Sequence, residues 1–137
     1  AELDLAGLVL FNPVLDLHFR AGWTEQRPFV RIGSWFLRTR YGLSALEQKS
    51  PIHQVRSVPY ATLIFHGAQD EVVPLAQSEA FHEKMQQRGN SCTLVPVPDV
   101  GHGLLSAPPA TFTLCIETLR GFLASVGMLG SRAHGGC

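Results

Sequence analysis

LIFHGAQDEVVPLAQS, residues 63–78, passes from one kind of chain to another within a single short run. Its apolar start belongs to YATLIFH, residues 60–66, which lacks the polar alternation of a half-buried strand and is closed by Gly67. That suits a strand covered on both faces. Its end opens PLAQSEAFHEKMQQRG, residues 74–89, where Phe81 and Met85 stand four apart. Pro74 suits a helix's first turn and Gly89 the position just past its end. Between strand and helix lies a loop that carries Asp70.

Working outward, LAGLVLF at 5–11, closed by Asn12-Pro13, reads as a second buried strand, and CTLVPV at 92–97 as a third. Pro96 removes a ladder donor and places the third strand at an edge, or marks a strand end. In PPATFTLCIETLRGFLASVG, residues 108–127, the side chains of Phe112, Cys115, Ile116, Leu119, Phe122, Leu123 and Val126 draw one apolar face of a long helix. Apolar strands alternating with helices predict an α/β fold with a parallel sheet. The domain is expected to span 1–130, with 131–137 (SRAHGGC) as a frayed tail. Residues 15–58 are rich in aromatics and arginines, among them Phe19, Trp23, Phe29, Trp35, Phe36 and Tyr41. This run is too long for a plain crossover and too apolar for a loop, and reads as a helical insertion. The first strand is apolar on both faces and has no preceding sequence to supply a neighbour, so the pattern looks like a sheet cut in half.

Composition narrows the class. The chain has 137 residues, 45% hydrophobic and 16% charged, with Lys+Arg 11 against Asp+Glu 11. That is one globular domain with no basic block for nucleic acid or an anionic surface. No apolar run reaches ~18 residues, so no membrane span is expected. Cys92, Cys115 and Cys137 are an odd count without a CxxC pair and read as reduced thiols, which leans towards a cytoplasmic setting. His18, His53, His82 and His134 show no metal-ligand spacing.

Asp70 follows the second strand, and His102, in PDVGHG (98–103), follows the third. Ligands and catalytic groups of open α/β sheets sit at these carboxyl ends. Adjacent parallel strands would hold the two loops side by side, so that an acid orients one imidazole nitrogen and leaves the other to deprotonate a hydroxyl. The bland alternatives are a turn or helix-start aspartate and a Gly-flanked turn histidine. His66 reads as structural, and Asp99 as a turn former.

PYATLIFHGAQDEVVPLAQSEAF resembles the segment after the seventh strand of α/β-hydrolase-fold serine hydrolases, in the carboxylesterase and prolyl-oligopeptidase-type branch. Its HGxxDxxVPxxQS pattern implies that Asp70 is the triad acid. VPDVGHGL resembles the family's last loop and implies that His102 is the triad histidine. SPIHQVRSVP, residues 50–59, resembles the lead into the acid strand. The resemblance covers roughly residues 5–128 and implies the C-terminal part of that fold, a small-molecule ester or peptide substrate, acyl transfer to serine and then hydrolysis. It implies no metal and no organic cofactor.

The family's G-x-S-x-G nucleophile elbow is not found. GLSAL at 42–46 comes nearest, but FLRTRY before it is a poor buried strand and Leu46 replaces the second glycine. Ser44 therefore reads as a helix start, and the nucleophile is expected N-terminal to Ala1, with the missing half of the fold as the chain's partner. The isolated chain is then expected to be inactive. The rival reading is a truncated or degenerate module that keeps the fold, lacks catalysis and binds a partner through its open sheet edge.

Overall fold

A computed structural model describes residues 4–17 and 28–129. Three strands, β1 (Gly7–Phe11), β2 (Ala61–Gly67) and β3 (Cys92–Val97), form a parallel sheet in the order β1-β2-β3. Ile64 pairs with Leu10 on one side and Leu94 on the other. Helices α1 (Pro28–Tyr41), α2 (Leu43–Lys49), α3 (Leu75–Gln87) and α4 (Pro109–Ser125) complete the described elements, with short 3-10 turns at Pro51–His53 and Leu104–Ser106.

The core follows from β2 being the middle strand. Successive side chains point to opposite faces. Ile64 therefore enters a cluster with Leu15, Phe81, Met85 and Cys92 under α3, while Leu63 and Phe65 enter one with Val97, Val100 and Cys115 under α4. Each large side chain buried in this way contributes ~1.5–3 kcal/mol of transfer free energy. Two covered faces explain why β2 lacks polar alternation, as its sequence predicts.

The outer strands behave differently. β1 was expected to be buried on both faces but is only half-buried, and Phe11 keeps 48% of its surface exposed. Among the described residues β1 pairs only with β2, so its outer edge is open. Phe11 stacks on Phe65 at 5.3 Å between ring centroids. β3 lies at the other edge, where Pro96, opposite His66 in the register, forfeits no ladder partner on the open side. On α4, Cys115 is buried and Leu119 and Phe122 pack on the sheet, but Ile116 is exposed. One residue beyond Cys115 turns ~100° around the helix, so the apolar stripe is narrower than its spacing predicts.

Within the expected insertion of 15–58, the described residues form α1, α2 and the 3-10 turn at Pro51–His53. Trp35 and Phe36 on α1 are exposed, so these aromatics do not pack on the sheet. The described parts of this segment are joined by Ser50. The Ser50 hydroxyl accepts Leu17 N–H at 2.8 Å and donates to the Leu46 carbonyl at 2.8 Å. Phe19 and Trp23 of the insertion, together with His18 and the 131–137 tail with His134 and Cys137, lie outside the described residues.

Candidate active site

β2 stops at Gly67, and the chain turns at once: Asp70 N–H donates to the Gly67 carbonyl at 3.1 Å. The Asp70 side chain folds back into this loop and is fully buried. Its Oδ1 accepts the backbone N–H groups of Val72 at 2.8 Å and Val73 at 2.9 Å. Such charge-assisted bonds hold a carboxylate more firmly than neutral ones. Oδ2 is the oxygen that meets the neighbouring loop. His102, on the loop after β3, meets it there, with Nδ1 at 2.9 Å. The two residues singled out by the sequence are thus neighbours at the carboxyl end of the sheet.

Backbone contacts bring the loops together. Ala68 N–H donates to the Val97 carbonyl and Gln69 N–H to the Val100 carbonyl, both at 2.9 Å. The Gln69 side-chain amide donates to Asp99 at 3.2 Å, and Asp99 turns the chain with φ 57. Asn12, just past β1, spans both loops. Its Oδ1 accepts Gly67 N–H at 3.0 Å, and its Nδ2 donates to the Gly101 carbonyl at 3.2 Å.

With Nδ1–H given to Asp70, the His102 Nε2 is free to accept a proton. The imidazole is 45% exposed and borders an open cavity of about 380 Å³, also lined by Gln69, Glu71, Val72 and Gly101. A buried anion behind a half-exposed imidazole is the arrangement a general base requires: the carboxylate fixes the ring and stabilises its charged form, and the far nitrogen reaches solvent or substrate.

His66, read as structural, is fully buried at the end of β2. Its Nδ1 lies 2.7 Å from the Ser78 hydroxyl and its Nε2 2.8 Å from the Val73 carbonyl. Ser78 is itself fully buried, so this Ser-His contact is closed to substrate. Ser44 sits in the first turn of α2, exposed, with Gln48 Nε2 donating to its hydroxyl at 3.4 Å. α1 rather than a strand precedes it, so it stands on no strand–turn–helix elbow. Among the described residues, no group of three or more His, Cys, Asp or Glu side chains is placed to hold a metal.

Sequence reasoning missed two polar residues around the site. In the sequence Asn12 reads only as the end of a strand. Gln77, buried on α3, accepts the N–H groups of Leu15 and Asp16 at 3.0 and 2.9 Å and so fixes the chain leaving β1. The one signal for Gln77 was its place in the quoted HGxxDxxVPxxQS pattern.

Known proteins resemble this chain in sequence and in fold. The thermophilic esterase Est2 of Thermogutta terrifontis superposes with a TM-score of 0.67 at 30% identity, over 92% of this chain and 44% of the esterase. The same enzyme phosphonylated by sarin gives 0.68 at 32% identity, over 90% and 45%. Dipeptidyl aminopeptidase BIII of Pseudoxanthomonas mexicana is 34% identical over 97 residues, 71% of this chain and 14% of that protein. A non-heme chloroperoxidase of Burkholderia pyrrocinia is 31% identical over 95 residues, 64% of this chain and 32% of that protein. The chain spans less than half the length of each of these proteins. The parallel sheet and its flanking helices are part of an α/β-hydrolase fold. The prolyl oligopeptidase family model matches residues 6–114, and the chain belongs to that family of serine-hydrolase type.

Proposed function

We propose that Asp70 and His102 are the acid and base of a Ser-His-Asp hydrolase acting on carboxylic esters or peptide bonds, and that the nucleophilic serine comes from outside residues 1–137. One observation carries the reading: Asp70 is buried, held by two backbone N–H groups through one oxygen, and aims the other at His102, whose far nitrogen opens on a cavity. In the reaction His102 Nε2 takes the serine proton as the oxygen attacks the substrate carbonyl. Asp70 holds the resulting imidazolium in place without taking its proton. His102 then returns the proton to the leaving alcohol or amine, and repeats the cycle with water to release the acid. The oxyanion donors lie with the nucleophile unit. The likeness to an esterase and to a dipeptidyl aminopeptidase supports both substrate classes.

The test is labelling with a fluorophosphonate, which marks an activated serine. The intact protein that carries this chain is expected to take one label on a serine outside residues 1–137, and to lose labelling and turnover on His102→Ala while its melting temperature holds. The isolated chain is expected to take no label. Stoichiometric labelling of Ser44, or full activity of His102→Ala, would overturn the reading.

A further inference from the structure

We infer that His66 is a positioning residue for the catalytic acid, acting through Val73 and Asp70 and never touching substrate. The inference rests on the proposed Asp70–His102 dyad. Burying an imidazole is costly unless both nitrogens are satisfied, and His66 is fully buried with both partnered. The Val73 carbonyl has no proton to give, so His66 Nε2 carries one and donates it at 2.8 Å. His66 Nδ1 then accepts from the Ser78 hydroxyl, 2.7 Å away on α3, which stops the ring from turning over. The consequence falls on Val73. Its N–H is held by Asp70 Oδ1 and its carbonyl by His66, so this one residue is clamped from both sides. The anchor of the carboxylate is thereby fixed to the rigid end of β2.

The second contact points the same way. His66 Nε2 also lies 3.4 Å from Asp70 Oδ2, the oxygen that receives His102 Nδ1 at 2.9 Å. The two imidazoles flank one carboxylate oxygen. One is buried and fixed by a helix and a loop; the other is half-exposed and free at its far nitrogen. The buried ring occupies one side of Oδ2, and His102 meets the same oxygen from the neighbouring loop. An apolar residue at 66 would fill the space but release the Val73 carbonyl and let the carboxylate rotate.

The experiment uses the intact, active protein. His66→Leu is expected to lower kcat by about 10²-fold, the scale of a ~1 Å misplacement, with KM unchanged. In the proton spectrum the far-downfield signal of His102 Nδ1–H, which reports its bond to Asp70, is expected to move upfield and broaden. His66→Gln keeps an amide N–H within reach of the Val73 carbonyl and is expected to restore both readouts in part. Ser78→Ala, which removes only the ring's anchor, is expected to show a smaller loss of the same kind and covers the case in which His66→Leu does not fold. A folded His66→Leu with unchanged kcat and an unchanged His102 signal overturns the inference. So does a Ser78→Ala protein with wild-type values when His66→Leu is unfolded. The dyad itself fails separately, if His102→Ala retains turnover.

Discussion

A Cβ built on Gly67 would stand 2.2 Å from the carbonyl oxygen of Gly101. It would also lie 2.4 Å from the Val100 carbonyl oxygen. The three nearest atoms are all backbone, so the clash cannot be relieved by a side chain swinging away. Glycine at the end of β2 is thus what lets the histidine loop lie against the acid loop. Gly67→Ala is expected to cost about 1–3 kcal/mol, the usual range for overpacking. It should also part the loops, so that activity falls further than stability. Urea unfolding and a turnover assay on the same sample check both.

Asp70→Asn tests the acid by itself. The amide keeps the shape and an oxygen for the Val72 and Val73 N–H groups, but no longer compels the Nδ1–H tautomer of His102. In the intact protein turnover is expected to fall ~10⁴-fold, the scale seen when a triad acid is neutralised elsewhere. Steady-state kinetics with an activated ester measure the drop.

Asn12 combines two hydrogen bonds with a left-handed backbone at φ 43. Asn12→Gly keeps that backbone at no steric cost and removes only the side chain. It is expected to destabilise the fold by ~1–3 kcal/mol, because Gly67 N–H and the Gly101 carbonyl each lose a partner. Amide exchange at Gly67 should quicken selectively. Exchange rates equal to wild type would mean that Asn12 bridges nothing in solution.

Burial pushes the Cys92 thiol from 9.0 up to about 11, and raises Cys115 in the same direction. A raised thiol pKa means that the unfolded chain loses this proton first. The stabilising contribution is therefore whole below about 9 and is lost as pH climbs towards about 11. Stability should decline across that window, and substituting Cys92 with Ala should flatten the decline. At pH 8 both thiols are expected to resist iodoacetamide until the protein is denatured.

The outer edge of β1 is unpaired among the described residues, and Phe11, Ile32, Trp35 and Phe36 are exposed. An open apolar edge is a template for strand pairing. Residues 1–137 expressed alone are expected to associate at micromolar concentration. A monodisperse monomer in sedimentation velocity, with cooperative unfolding, would count against this.

The strands and the Asp70–His102 pairing were legible because their signals are local. The apolar run at 60–66, the Pro96 edge mark and the placement of Asp70 and His102 each sit within a few residues of what they specify. What stayed hidden is what depends on distant chain. Asn12 meets Gly101, and Gln77 meets Leu15 and Asp16, across stretches that no periodicity connects. Exposure was misjudged where it depends on neighbours: β1 is apolar on both faces but half-buried, and Ile116 keeps an apolar residue's spacing while facing out. His66 could be read as structural, but its reach to Val73 and Ser78 depends on how the loop folds back on the strand.

Asp70 and His102 differ in how the chain must be gathered to place them. Asp70, its Val72 and Val73 anchors, His66 and Ser78 all lie on one continuous strand–loop–helix segment. Closing loops that short costs little chain entropy. His102 reaches its seat only once β3 has docked in parallel beside β2, which requires the whole of α3 to be laid down between them. Parallel pairing across a helix is the slower, high-separation event in folding. The Asp70 cradle is therefore expected to assemble as an early, local unit, with His102 arriving at a carboxylate already in place.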